Sequence, residues 1–454
     1  MVRSSGRQVI VIGAGMAGLT ALDRLSHAGF HVTVLESRAR AGGRIRTVRE
    51  QFADGLYADV GATYVVDCHA RLLAYVDELD LPLQIVNPRH LPSLFHLRGR
   101  NVRFAETGTV NVPLPLTAAE RKLGFAGMFE TYLAPAVNAV GQPALTRWPD
   151  AKGASFDRLN GRQMLEQAGA SPAAIELLGV SLLGLYGEGL DSTSALFLAT
   201  QQKLTEFTTT YTIRGGMDRL PTTLAARYHD RITYGHEVTD IRHTARGVRV
   251  AVRGPGGAGS LEADFAIVTV PYAALRRIRI TPALSRGKRR VVDDLPNTSV
   301  VRGFVQCRER FWDRIDGSGT VFTDIPGMAV FSGYSRPSRR GILEAYFSGA
   351  AARRLSGMPE ARRARRIVEL MTRIFRQIPE YVESVVTQCW DSDPWARGAY
   401  AWYAPGQLVS FLPDLARPDG RLHFAGDHTS LLPGWIEGAI ASGERAAGEI
   451  MERA

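Results

Sequence analysis

Lysine is almost missing from this chain. Only four of its 454 residues are lysine (Lys122, Lys152, Lys203 and Lys288), which leaves 51 arginines among the 55 basic residues. The net charge of +10 therefore carries a bias toward arginine. With no recognition motif beside it, that charge does not point to nucleic acid. Cysteine is scarce as well. Cys68, Cys307 and Cys389 are scattered and odd in number, which excludes a disulfide framework and a cysteine metal cluster. No apolar run approaches the roughly 18 residues a membrane helix needs. The N-terminal run Val9–Ile12 is too short for the core of a secretion signal and leads straight into glycines, so it reads as a strand. A cytoplasmic protein with neither membrane nor metal is expected. A hydrophobic content of 45% and a charged content of 22% describe an ordinary globular chain. Its length exceeds one compact core, so two or more domains are expected.

Glycine is where the information lies. In "QVIVIGAGMAGLTALDRLSHAGFHVTVLES" a strand runs into Gly13, Gly15 and Gly18, and apolar residues then recur at helical spacing over Met16–Ala28. Gly13 permits the turn, Gly15 lets backbone approach a pyrophosphate, and Gly18 lets helix and strand pack closely. The helix start would meet phosphates with its unpaired N–H groups. A second strand ends at Glu36, 18 residues after Gly18, near the ~20-residue spacing of an acid that takes a ribose hydroxyl.

The next segment, "ESRARAGGRIRT" followed by "YADVGATYV", places a second diglycine and an arginine where a plain nicotinamide-nucleotide domain has no use for them. Here the chain resembles the FAD-dependent amine oxidase superfamily of monoamine, polyamine and L-amino-acid oxidases. The resemblance implies an α/β fold, with a Rossmann-like FAD-binding domain of the glutathione-reductase/amine-oxidase type and an interleaved mixed α+β substrate domain. Glu36, Arg38, Gly42, Gly43 and Arg44 would meet the dinucleotide, and Gly61, Ala62 and Thr63, after Asp59, would lie along the flavin ring.

Further motifs extend the resemblance. "TIRGGMDRLPTTLAARY" repeats a diglycine turn before a helix, and Val238, on a strand pair joined by "GPGGAGS" as a loose hairpin turn, would meet the adenine through its backbone. Late in the chain, "HFAGDHTS" would return Gly426 and Asp427 to the pyrophosphate and ribityl chain, with Ile436 opening a helix toward the ring. Such a helix start favours negative charge by about 0.3–2 kcal/mol. Ala439, Gly443 and Ala447 recur every four residues, a spacing suited to close packing on the cofactor domain. Three separated pieces, 1–66, 210–280 and 388–454, are expected to build that domain, with 67–209 and 281–387 forming the substrate domain. In the latter, Ile367, Leu370, Met371, Ile374, Phe375 and Ile378 make one helical stripe, while Arg362, Arg363, Arg365 and Arg366 fall largely off it, on a solvated face.

Hydride loss from a carbon next to nitrogen needs mainly orientation over the flavin and exclusion of water. The resemblance puts two cage aromatics at Tyr400 and Trp435, the latter a departure from the usual tyrosine. Ala399 stands where a covalent flavin cysteine would be, so FAD is expected to be noncovalent. Arg302 stands where the family usually has a lysine near flavin N5. It could promote reduction of O2 or clamp a substrate carboxylate, and its permanently charged planar fork leaves oxidase against dehydrogenase open. "GATYV" lacks the arginine with which L-amino-acid oxidases hold a carboxylate. The expected function is oxidation of an amine to an imine with O2 reduced to H2O2. The alternatives are an L-amino-acid oxidase, with an aromatic substrate as one option, a dehydrogenase or desaturase of the same fold, and a flavoprotein without catalysis. Glu188 and Glu206 read as solvated loop carboxylates. A homodimer is left open.

Overall fold

The computed structural model describes residues 6–86, 94–103, 108–315, 319–332 and 338–453. Its central sheet draws on distant parts of the chain. The run QVIVI forms the strand Gln8–Ile12, buried at every residue but the first, and pairs in parallel with His31–Leu35 on one side and Phe265–Val268 on the other. Unbroken apolar strands are what a parallel sheet covered on both faces requires. Ile232–Thr233 and Leu422–Phe424 add the two edges of this five-stranded sheet. The strand end of "HFAGDHTS" thus lies beside Phe265–Val268, one strand from the glycine turn.

Two helices cover one face together. The helix Met16–His27 follows the glycine turn, and the helix Ile436–Met451 packs against it. A Cβ on Gly443 would stand 2.4 Å from the carbonyl oxygen of Ala17. The four-residue spacing of small residues is therefore the contact stripe, and the backbones approach more closely than any side chain would allow.

A four-stranded sheet flanks this layer. Within it Val248–Gly254 pairs with Gly257–Ala263 so that Gly254 faces Gly257. Only Pro255 and Gly256 remain as the turn, and "GPGGAGS" is mostly strand rather than the loose loop its composition suggests. Gly257, at φ +101°, reverses the chain at once, and the ladder continues through the glycines.

The third layer is a seven-stranded sheet in which Val300–Cys307 lies between Val382–Cys389 and Gly341–Ser348. The helix Glu360–Thr372 packs on it through Ile367, Leu370 and Met371. It ends earlier than the apolar period suggests, but Ile374, Phe375 and Ile378 remain buried in the turns beyond. Arg362, Arg365 and Arg366 are exposed, and Arg363 reaches Thr387. Among the described residues no helix is long and apolar enough to cross a membrane, and no cluster of three potential ligands could hold a metal.

Candidate active site

The glycine turn opens one end of a cavity of about 580 Å³. A Cβ on Gly18 would stand 1.9 Å from the Gly13 carbonyl oxygen, whereas one on Gly15 would meet nothing within 4 Å. Gly18 thus lets the helix close on the strand, and the bare face of Gly15 is turned to the cavity. Glu36, at the end of the second strand, accepts from the Ala14 N–H at 2.8 Å and from the Arg38 N–H at 2.8 Å. It lines the cavity with Arg38, which is paired to Asp393 at 2.6 Å and lies 5.1 Å from the Trp395 ring. Val238 lines the same end.

Around the Gly42–Gly43 turn, two arginines divide the work. Arg40, unnoticed in the sequence, donates to the carbonyls of Ala41, Gly43 and Ile45 at 3.0, 2.9 and 3.0 Å, and so fixes the Gly42–Gly43 turn. Burial, with Arg38 and Arg46 nearby, lowers its pKa to about 10, still high enough to keep it charged. Arg44 reaches across to the carboxylate of Asp427 and the carbonyl of Ala399. Asp427 also accepts the Gly434 N–H at 2.8 Å. Burial pushes its carboxyl up, but Arg44, His428 and that N–H carry it below the usual carboxylate value. Next to it, His428 is buried, its two ring nitrogens without a hydrogen-bond partner among the described residues, and burial holds its pKa down to about 3.

The far end is aromatic. Gly61, Ala62, Arg302, Tyr346, Tyr400 and Trp435 line it. Tyr400 and Tyr346 share a hydrogen bond between hydroxyls at 3.0 Å. Burial raises both phenols, Tyr346 to about 12 and Tyr400 well above its usual value, so both are neutral donors at physiological pH. Trp435 caps the helix Ile436–Met451 and meets the edge of His69, with ring centres 4.9 Å apart and an interplanar angle of 78°. His69 is buried with no hydrogen-bond partner on either ring nitrogen among the described residues, and burial lowers its pKa to about 4. Arg302 donates from Nε and Nη2 to the two oxygens of Glu344 at 2.5 and 2.7 Å, and from Nη1 to Thr63 Oγ1 at 2.9 Å and the Gly61 carbonyl.

Of the residues singled out in the sequence, Gly18 and Thr63 do not reach the cavity. Gly18 is packed beneath Gly13, and Thr63 stands behind Arg302. Asp59 stays off it too, accepting from Thr47 Oγ1 at 2.5 Å and from the Met217 N–H at 2.9 Å, which ties the Gly215–Gly216 turn to this layer. The reading of Glu188 as a solvated loop carboxylate is corrected. Its side chain is only 5% exposed, forked with Arg353 at 2.9 and 3.0 Å and accepting from Thr298 Oγ1 at 2.8 Å. The loop between Gly187 and Gly189 folds it inward behind Tyr400, whose carbonyl accepts the Thr298 N–H. Glu206 is exposed.

The donor set fits a flavin dinucleotide. A bare glycine turn at a helix start would hold the pyrophosphate, Glu36 a ribose, and the aromatic end the ring and its substrate. A family model described as "Flavin containing amine oxidoreductase" matches residues 16–451. A Bacillus subtilis (strain 168) protein, named provisionally as an L-amino-acid oxidase, is 28% identical over 464 residues, covering 98% of this chain and 94% of its own. The L-amino-acid oxidase of Vipera ammodytes ammodytes is 27% identical over 464 residues, with 98% and 93% covered. Among solved structures, cyclohexylamine oxidase from Brevibacterium oxydans IH-35A superposes with a TM-score of 0.83 at 23% identity, over 98% of this chain and 99% of that one. Putrescine oxidase bound to putrescine gives the same TM-score, identity and coverage. At this identity the two superpositions speak for the fold.

Proposed function

This chain belongs to the family of flavin-containing amine oxidoreductases, and on that footing we propose that it binds FAD noncovalently and oxidises an amine to an imine, with O2 as acceptor and H2O2 as product. The observation that carries this reading is the single cavity running from Gly15 and Glu36 to Tyr400 and Trp435. One end suits a dinucleotide and the other a flat, apolar slot for a substrate carbon. Bound flavin would supply the two-electron acceptor. We assign the segments 1–66, 210–280 and 388–454 to the cofactor half of the molecule, and the rest to the substrate half.

The protein's own share is positioning. The rings of Tyr400 and Trp435 would hold the amine and exclude water, and the Tyr346 hydroxyl holds Tyr400 in place. Arg44, Asp427 and the start of the helix Ile436–Met451 would hold the cofactor from the opposite side to the glycine turn. Cys68, Cys307 and Cys389 are all unpaired and none lines the cavity, which supports noncovalent binding and a reducing, cytoplasmic setting.

The L-amino-acid oxidases among its relatives favour a second reading, in which the substrate carries an α-carboxylate. Anaerobic bleaching of the purified protein by primary and secondary amines, against a panel of L-amino acids, separates the two. Readmission of oxygen with a peroxide assay then separates oxidase from dehydrogenase. Bleaching by amines with peroxide on reoxidation is the expected result, and bleaching by neither panel would overturn the proposal.

A further inference from the structure

No motif singles out Glu344, yet it decides what Arg302 can do. The two stand 42 residues apart in the chain, on neighbouring antiparallel strands. Arg302 faces Tyr346 in the register and Glu344 lies two residues along, so the three side chains share one face of the sheet. Both charged residues are 5% exposed. A guanidinium grips a carboxylate through two parallel N–H groups on one edge. Here the Nε–Nη2 edge is filled by Glu344, and Nη1 is turned to Thr63 and the Gly61 carbonyl. The ring of Phe304, 5.1 Å from the guanidinium carbon, closes a further side.

From this we infer that Glu344 sets the charge selectivity of the substrate site. By occupying the fork of Arg302 it makes the wall beside Tyr346 and Tyr400 neutral. Amines are then admitted and α-carboxylates turned away. A substrate carboxylate entering the wild-type site would have to displace a buried partner already in bidentate geometry, and it would lose its own water in doing so. Without Glu344 the Nε–Nη2 edge of the same guanidinium would be open to another carboxylate. The inference rests on the amine reading above and specifies its substrate class.

Glu344→Gln keeps the shape of the side chain and removes its charge. The test compares anaerobic flavin bleaching by 2-phenylethylamine and L-phenylalanine, which differ only in the α-carboxylate. It also titrates benzoate against the flavin absorbance band. The wild type should be bleached by the amine and show no benzoate shift. In Glu344→Gln the ratio of the two bleaching rates should move toward the amino acid by about 10- to 100-fold, the worth of one charge-assisted contact. A benzoate-induced band shift should appear with it, and the double variant Arg302→Gln/Glu344→Gln should lose both gains. An unchanged ratio with no benzoate shift, in a variant that keeps its flavin, overturns the inference. If Glu344→Gln loses its flavin, Glu344→Asp takes its place. Its carboxylate stops one methylene short of the Nε–Nη2 edge and leaves the fork open, so a benzoate shift is again expected and its absence overturns the inference. A wild type bleached by L-phenylalanine and not by the amine overturns the amine reading itself, whereas amine bleaching with an unaltered variant sinks only the role of Glu344.

Discussion

Gly18 lies so close to Gly13 that a β-carbon on the first would stand 1.9 Å from the carbonyl oxygen of the second, while Gly15 between them faces open space. The two therefore respond differently to the same change. Gly18→Ala should destabilise the fold by about 1–3 kcal/mol or more, the cost of overpacking against backbone that cannot retreat. Gly15→Ala should fold normally and lose flavin, because its methyl fills the space where a pyrophosphate would come. Thermal melting and the flavin-to-protein absorbance ratio of the two variants check this. Equal melting temperatures would contradict it.

Asp427 is held by Arg44 and the Gly434 N–H, with its carboxyl below the usual value despite burial. Asp427→Asn should cost about 2 kcal/mol, less than for a fully enclosed pair because Arg44 is partly open to solvent. The sign of the pH dependence follows from the lowered pKa. The wild type keeps this contribution above the unfolded carboxyl value and loses it as pH falls through the folded one. Urea melts at pH 7 and at pH 3 should show the gap between the two proteins narrowing toward the acid end.

Lys288, one of the four lysines, is buried with its ammonium 3.0 Å from the Leu415 carbonyl, 3.2 Å from the Tyr272 hydroxyl and 4.3 Å from the centre of the Phe424 ring. Burial, reinforced by Arg445, lowers its pKa from 10.5 to about 7. Between those values the unfolded chain holds a proton that the folded one does not, so stability should rise with pH across this window. Lys288→Met should flatten that slope and gain most at the low end, as melts at pH 7 and pH 9.5 would show. An identical slope in the variant would rule out Lys288 as its source.

Tyr400→Ala and Trp435→Ala should slow anaerobic flavin reduction by about 10- to 100-fold while the protein stays yellow, since they remove orientation of the substrate and not the cofactor's main contacts. Stopped-flow bleaching at saturating substrate measures this directly. Unchanged rates in both would remove the pair from the substrate site.

The parts of the site readable in sequence are those where one residue type satisfies a steric rule by itself. Gly13 and Gly18 are legible because no other residue fits the turn, and Gly15 because it completes their spacing. The stripe through Ile367 and Leu370 is legible because burial repeats with the helix. Arg302 could be located by resemblance, but its partner could not, since Glu344 meets it through a strand register that no local spacing encodes. Arg40 was hidden by lying among other arginines, and its role depends on three carbonyls within its own turn. Glu188 looked solvated because its loop is polar and glycine-rich, and its partners Thr298 and Arg353, 110 and 165 residues away, draw it inward.

The strand Leu422–Phe424 forms an edge of the central sheet, and the helix Ile436–Met451 lies against the helix that follows the glycine turn. During synthesis the N-terminal dinucleotide motif therefore leaves the ribosome long before the elements that close over it. The cofactor site can be completed only after the helix Ile436–Met451 has emerged, which makes flavin capture a late event in the life of the chain and the loss of that helix as damaging to it as the loss of the glycines.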